Sequence, residues 1–280
     1  MKSSNAILRA VVVFFAVCFI QIVAGTLMLS HVKMPASSHT MQWMLLSNSL
    51  VVAALSFVAF RSDLRGWRLG VAMAGVPLVI GCMNAIEGVF FLTNSVMPWS
   101  TLFAYMILSA VLVVPVWVVL FGKKPDVPQD HFHPIGSKPF SETLWKFAVS
   151  DLAYSLLYLT AGLIVFPYVK DFYATQHIPA MTTILALQML LRGPMFIALC
   201  LLLVRMLGLP RFAGALAVGA VFTILSGVAP LLMPNAFFPD AVRWAHFCEV
   251  TSSNFVFGAI VGWLWGQPSL VRAHALGHAA

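Results

Sequence analysis

An all-α, polytopic transmembrane bundle of eight spans is the fold class this sequence predicts, and three observations carry it. The first is run length. A hydrocarbon core about 30 Å thick takes roughly 20 apolar residues to cross as a helix. Runs of that order lie near 10–30, 42–60, 69–92, 99–121, 147–168, 180–204, 212–233 and 244–266. The second is composition: the 280-residue chain is 61% hydrophobic and only 9% charged, with a mean hydropathy of +0.94, which excludes an ordinary soluble domain.

The third observation is where the cations fall. Lys2, Arg9, Arg61, Arg65, Arg68, Lys123, Lys124, Lys138, Lys146, Arg205, Arg211 and Arg272 all belong to one side of an eight-span topology. Only Lys33, Lys170 and Arg243 belong to the other. Positive residues resist translocation, so the rich side is expected to be cytoplasmic, with both termini inside. The formal charge of +7 therefore reads as membrane topology and implies no nucleic-acid partner. The tryptophans agree with this frame. Trp43, Trp99 and Trp244 fall at predicted outer ends of spans, and Trp67, Trp117, Trp145, Trp263 and Trp265 at or near inner ends. An amphipathic indole is favoured at both interfaces.

The first span follows a basic stretch (Lys2, Arg9), but its apolar run exceeds the 7–15 residues of a signal-peptide core. It also recurs. Arg9, Ala24-Gly25 and Val32-Lys33 precede Lys146, Ala161-Gly162 and Val169-Lys170 by a constant offset, and Met44-Leu45-Leu46 resembles Met189-Leu190-Leu191. The expected organisation is a first four-span half (1–121), a cytoplasmic linker (122–143), a second four-span half (144–267) and a cytoplasmic tail (268–280). Four spans restore the starting side, so the halves would be parallel repeats about an axis along the membrane normal. Shared Val, Ala and Gly in apolar helices is the competing explanation.

The second span carries no charge before its terminal Arg61, and the third contains Pro77, Asn84 and Glu87. Pro115 lies in the fourth. The linker is rich in Pro and charge. Its His131 and His133, near Asp126 and Asp130, offer metal-ligand types but read better as solvated loop residues. Ser141 or Thr143 is expected to cap the fifth helix. The fifth span has Asp151 about one turn from the inner side, where snorkelling to the interface accounts for it.

In the sixth span Gln188 and Arg192 precede Gly193-Pro194 at mid-depth, where a kink and freed carbonyls are expected. Pro230 predicts a further kink in the seventh. In the eighth, His246, Glu249 and Ser253 form one helical stripe, and Gly258, Gly262 and Gly266 form a ridge for close helix packing. Cys18, Cys82, Cys200 and Cys248 lie inside spans without CxxC spacing, so they read as small buried hydrophobes.

The charges inside the spans carry the functional information. Each costs at least ~2.5–3.5 kcal/mol on insertion scales, so each needs a partner, water or an escape to the interface. Helical side chains lean toward the helix N-terminus. Arg192 on an inward-running helix and Glu87 on an outward-running one therefore lean toward the same depth, and Glu249 lies within reach of it. An Arg192 fork bonded to Glu87 or to Glu249 is expected. Asn84, Gln188, His246 and Ser253 complete the candidate site. One reading is an outward-facing polar cavity for a small ligand or ion. The other is a buried ion pair that fixes helix register.

The stretches QMLLRGP (Gln188–Pro194), YVKDFY (Tyr168–Tyr173) and PDAVRWAHFCEVTSSNFVFG (Pro239–Gly258) resemble recurring segments of a family of bacterial eight-span membrane proteins without an assigned function. The resemblance covers mainly the second half and implies a bacterial inner membrane. No Walker-type loop, HExxH, GxSxG or paired CxxC is present. A haem would need His246 with one of His31, His39 or His177. Three functions remain: a small-solute or ion permease with a site around Arg192, a non-transporting accessory or structural protein of the bilayer, and a membrane-embedded enzyme or haem protein. The residues imply no cofactor and no catalytic group.

Overall fold

The computed structural model describes residues 2–30, 39–92, 97–122, 139–176, 178–235 and 237–266, with side chains from residue 5 onward. Eight helices long and apolar enough to cross a membrane account for nearly all of them. They are α1 (Lys2–Leu29), α2 (Thr40–Arg61), α3 (Gly66–Phe91), α4 (Trp99–Phe121), α5 (Phe140–Tyr173), α6 (Met181–Leu207), α7 (Arg211–Leu232) and α8 (Asp240–Trp265). This is an all-helical, multi-pass membrane protein. Lys33, His31, His177, Lys123, Lys124, Asp126, Asp130, His131, His133, Lys138 and Arg272 lie outside the described residues, as does the tail from 267.

The fifth helix corrects the sequence reading at both ends. It begins at Phe140 and runs through Lys170 to Tyr173, so the YVKDFY stretch is helix and not loop. Ser141 and Thr143 lie within its first turn and do not cap it; the N-cap position is Pro139. A proline there has its φ already set for helix entry and withholds no needed donor. Glu142 in the first turn suits the helix dipole and pairs with Lys146 one turn on at 2.7 Å.

Packing follows two chains of neighbours. Helix α3 packs along α4, α4 along α1, and α1 along α2; α7 packs along α8, α8 along α5, and α5 along α6. The two sets meet through α2 and α3 on one side and α6 and α7 on the other. The core runs through this junction, with Leu69, Met73, Ile80, Phe196, Phe222 and Phe257 fully buried.

Glycine brings α7 and α8 together. A Cβ added at Gly258 would stand 2.9 Å from Gly219 Cα, and one at Gly262 would stand 2.7 Å from Ala215 Cα. Real side-chain carbons do not tolerate that separation, so the ridge of small residues sets the interhelical distance.

Four of the prolines inside spans, Pro77, Pro115, Pro194 and Pro230, divide into two kinds. Pro77 and Pro115 sit inside uninterrupted helices, whereas Pro194 and Pro230 each follow a π turn, Gln188–Arg192 in α6 and Ile224–Val228 in α7. In each turn the N–H before the proline reaches five residues back, Gly193 to Gln188 O and Ala229 to Ile224 O. The wider turn accommodates a ring that would otherwise press on the preceding carbonyls. Two carbonyls then take side-chain donors: Ser226 O, which Pro230 cannot supply, accepts from Asn84 Nδ2 at 3.5 Å, and Ala229 O, in the last turn of the helix, accepts from Ser47 Oγ at 2.8 Å.

Smaller corrections concern polar and sulfur side chains. Asp151 does not snorkel. It is only 9% exposed, its carboxylate lies against Gly193 of α6, and its Oδ1 has no hydrogen-bond partner. Arg243, expected in an outer loop, is buried and donates from Nη1 to Leu231 O and Leu232 O, capping the end of α7. Trp117, one turn before the inner end of α4, is 1% exposed and packs on Phe121. Cys248 faces outward, while Cys18 and Cys200 are buried.

Candidate functional site

A cavity of about 500 Å³ opens where the two helix sets meet. It extends from mid-depth, at Gln21, Pro77 and Arg192, to the bundle end that carries the α3–α4 and α7–α8 connections. That size falls within the ordinary range of small-molecule sites. Its wall is mostly apolar and aromatic, with one guanidinium and two carboxylates set into it.

The guanidinium is Arg192, at the last position of the π turn in α6. Its Nη1 lies 2.6 Å from Glu87 Oε2 on α3 and donates to Gln188 Oε1 at 3.3 Å, while Nη2 donates to Asn84 Oδ1 at 3.1 Å. Gln188 Nε2 in turn reaches Glu87 Oε1 at 3.5 Å, and Tyr158 of α5 also meets Glu87. The spacing explains the cluster. Asn84 and Glu87 are three apart on α3, and Gln188 and Arg192 four apart on α6, so each helix presents both polar groups on one face. The rings of Phe196 and Tyr158 lie 5.2 and 5.9 Å from Arg192 Cζ, a cation–π setting that partly replaces lost hydration.

Of the two carboxylate partners expected for Arg192, the structure selects Glu87. The expected bidentate fork is divided: one arm takes the carboxylate and the other takes Asn84. Glu249 instead accepts from His246 Nδ1 at 2.6 Å, one turn away on α8. His246 Nε2 meets Tyr173 OH of α5 at 3.0 Å, so both ring nitrogens are engaged with protein groups. Among the described residues no group of three or more His, Cys, Asp or Glu side chains is placed to hold a metal ion.

Six of the seven sequence-derived site residues thus come together, five of them in the cavity wall and Gln188 immediately behind it. Ser253 does not join them. Its hydroxyl donates to Glu249 O of its own helix at 2.8 Å, a local bond that keeps it out of the site.

The sequence reading missed the polar wall contributed by other helices. Asn48 Nδ2 donates to Gln21 Oε1 at 2.7 Å, joining α1 and α2 beside the cavity. Ser226 of α7 also lines the cavity, and its hydroxyl accepts at 2.8 Å from Nδ2 of Asn254, which flanks the stripe on α8 and lies outside the wall. Tyr158 and Tyr173 also line the cavity, and nothing in the sequence separates them from other aromatics in apolar runs. At the rim, Asn235 Oδ1 accepts from the N–H groups of Phe237 and Phe238, both at 3.0 Å, and so aims two aromatic rings at the opening. Phe237 stacks on Trp99 at 5.6 Å across the mouth.

Comparison with protein-family models, with curated proteins and with solved structures finds no match. The cavity itself must carry the functional argument.

Proposed function

We propose that this chain is a bacterial inner-membrane permease for a small solute, with its binding site facing outward around Arg192. The observation that carries the reading is the convergence of the Arg192–Glu87 ion pair and the hydrogen-bonded His246–Glu249 pair on one open cavity. A structural ion pair alone needs no chamber of about 500 Å³ beside it. The cation-poor loops belong to the end toward which this cavity opens, which makes that end the outer one by the positive-inside rule.

The packing order supports two parallel four-helix repeats. Matching α1 to α5, α2 to α6, α3 to α7 and α4 to α8 turns the neighbours of one set into those of the other. The pseudo-twofold axis then runs between α2 and α6 and between α3 and α7, where the cavity lies. Rocking of one repeat against the other would expose such a site alternately to the two sides. The π turns of α6 and α7, both on this axis, are the natural points of bending.

One observation favours the accessory, non-transporting reading: Arg192 is bonded through both terminal nitrogens, as in a structural clamp between α3 and α6. That clamp leaves the His246–Glu249 pair and the aromatic mouth without a purpose.

The test is side-resolved. Val51 lines the cavity at mid-depth, so a Val51→Cys variant free of the four natural cysteines is labelled in oriented proteoliposomes with an impermeant thiol reagent. A permease predicts reaction from the outer side and a slower reaction from the inner one. Silence from both sides, with Thr175→Cys reacting normally, sinks the reading.

A further inference from the structure

We infer that the cavity selects organic cations: its ligand is a monovalent ammonium or quaternary ammonium compound with an apolar body. This deepens the permease reading and rests on it. The cavity wall holds one guanidinium, two carboxylates and one imidazole. Arg192 commits its charge to Glu87 at 2.6 Å, Nη1 and Nη2 also bond Gln188 and Asn84, and Nε is buried without a hydrogen-bond partner. An incoming carboxylate or phosphate would have to compete with Glu87 for that charge.

Glu249 stands differently. Its Oε2 accepts from His246, while its Oε1 has no hydrogen-bond partner, although the side chain is nine-tenths buried. That oxygen lies beside Gly162 of α5, where an added Cβ would stand 3.5 Å from it, in ordinary van der Waals contact. A buried carboxylate oxygen with a vacant acceptor position invites a donor, and a cationic one above all.

The hydrogen-bond chain is compatible with a neutral imidazole. Tyr173 O–H can donate to His246 Nε2, and Nδ1–H to Glu249, which satisfies an imidazole carrying one proton. One guanidinium against two carboxylates then leaves the chamber with one negative charge. Water-poor walls focus that field on whatever enters.

The aromatic rings complete the chemistry. Phe238 lies 5.1 Å and Tyr173 5.9 Å from the His246 ring, Phe91 adds its edge to Tyr173, and Trp99 stacks with Phe237 at the mouth. Ring faces attract ammonium groups and repel anions, and an aromatic enclosure beside a carboxylate recognises a methylated or primary amine. The mostly apolar remainder of the wall takes the ligand's hydrocarbon part.

The test uses charge-matched probes on Val51→Cys in the background without natural cysteines. Its rates with a trimethylammonium-ethyl and a sulfonato-ethyl methanethiosulfonate are each divided by the rate for free glutathione. The expected ratio favours the cation by at least ~10-fold, and Glu249→Gln brings it to near one. Benzyltrimethylammonium should protect the thiol and benzoate should not. A ratio at or below one, or protection by benzoate alone, overturns the inference and leaves the cavity intact. Reaction with neither reagent removes the cavity, and the permease reading with it. Should Glu249→Gln fail to fold, Trp99→Leu at the mouth serves instead, with a reduced ratio expected and an unchanged one counting against the aromatic contribution.

Discussion

Helices α6 and α7 differ from α1 and α4 in a way hydropathy conceals. The most apolar windows of the eight belong to α1 and α4, yet only 17% and 6% of those windows are buried in the protein. For α6 and α7 the shares are 50% and 61%. In a soluble protein apolar residues mark the core. Here lipid is the apolar phase, so uninterrupted hydrophobicity marks the outside, and the core collects small, polar and irregular residues. The same two helices carry both π turns and Arg192. Burial, backbone irregularity and chemistry coincide.

The comparison can be broken most forcibly at glycine. Gly262→Val in α8 places carbon against the α7 backbone, where even a Cβ would stand 2.7 Å from Ala215 Cα; Gly25→Val in α1 meets nothing within 4 Å. Overpacking ordinarily costs about 1–3 kcal/mol, and an unyielding backbone neighbour places this case at the upper end. Thermal unfolding in nanodiscs should show a large loss of Tm for the first variant and almost none for the second. Equal effects would mean that α7 and α8 are not in close contact.

Charge gives the next largest effect. Arg192→Ala strands Glu87, whose side chain is only 23% exposed, and should destabilise by about 3 kcal/mol. Adding Glu87→Ala should restore part of that loss, measurable as a positive coupling in a double-mutant cycle. Additive effects would show that the pair does not couple α3 to α6.

A smaller change, of opposite sign, is expected at Asp151. Its unpartnered carboxylate oxygen against Gly193 is a cost, so Asp151→Asn should raise the unfolding midpoint by the equivalent of about 1 kcal/mol. A clear loss would mean that the carboxylate has a stabilising role. Smallest of all is Phe19→Leu on α1, a ring 67% exposed on the lipid side, which should move stability by less than about 0.5 kcal/mol.

How legible was this molecule? All eight spans could be read because the bilayer imposes one length and one polarity on each. Depth and side-chain lean are properties of a single helix, so Glu87 and Glu249 could both be read as partners of Arg192, but the choice of Glu87 could not. Nor could which helix faces lay together. Tyr158 and Tyr173 look like any aromatic in an apolar run, and only the packing of α5 against α8 makes Tyr173 a partner of His246. The start of α5 was misplaced because Ser141 and Thr143 match a capping pattern that Pro139 pre-empts. Asp151 was misplaced because sequence gives depth along a helix but not direction around it.

The central claim is that water reaches mid-depth in the cavity and not in the core around it. Tyr158 and Tyr154 test it within one helix: Tyr158 lines the cavity, while Tyr154, one turn away, is 3% exposed and packed between Phe196 and Phe257. Hydroxyl-radical footprinting of the wild-type protein in nanodiscs, read by mass spectrometry, reports each ring separately. Oxidation of Tyr158 with protection of Tyr154 is the predicted result. Equal protection of both would contradict the account, because the Arg192 cluster would then be sealed and structural.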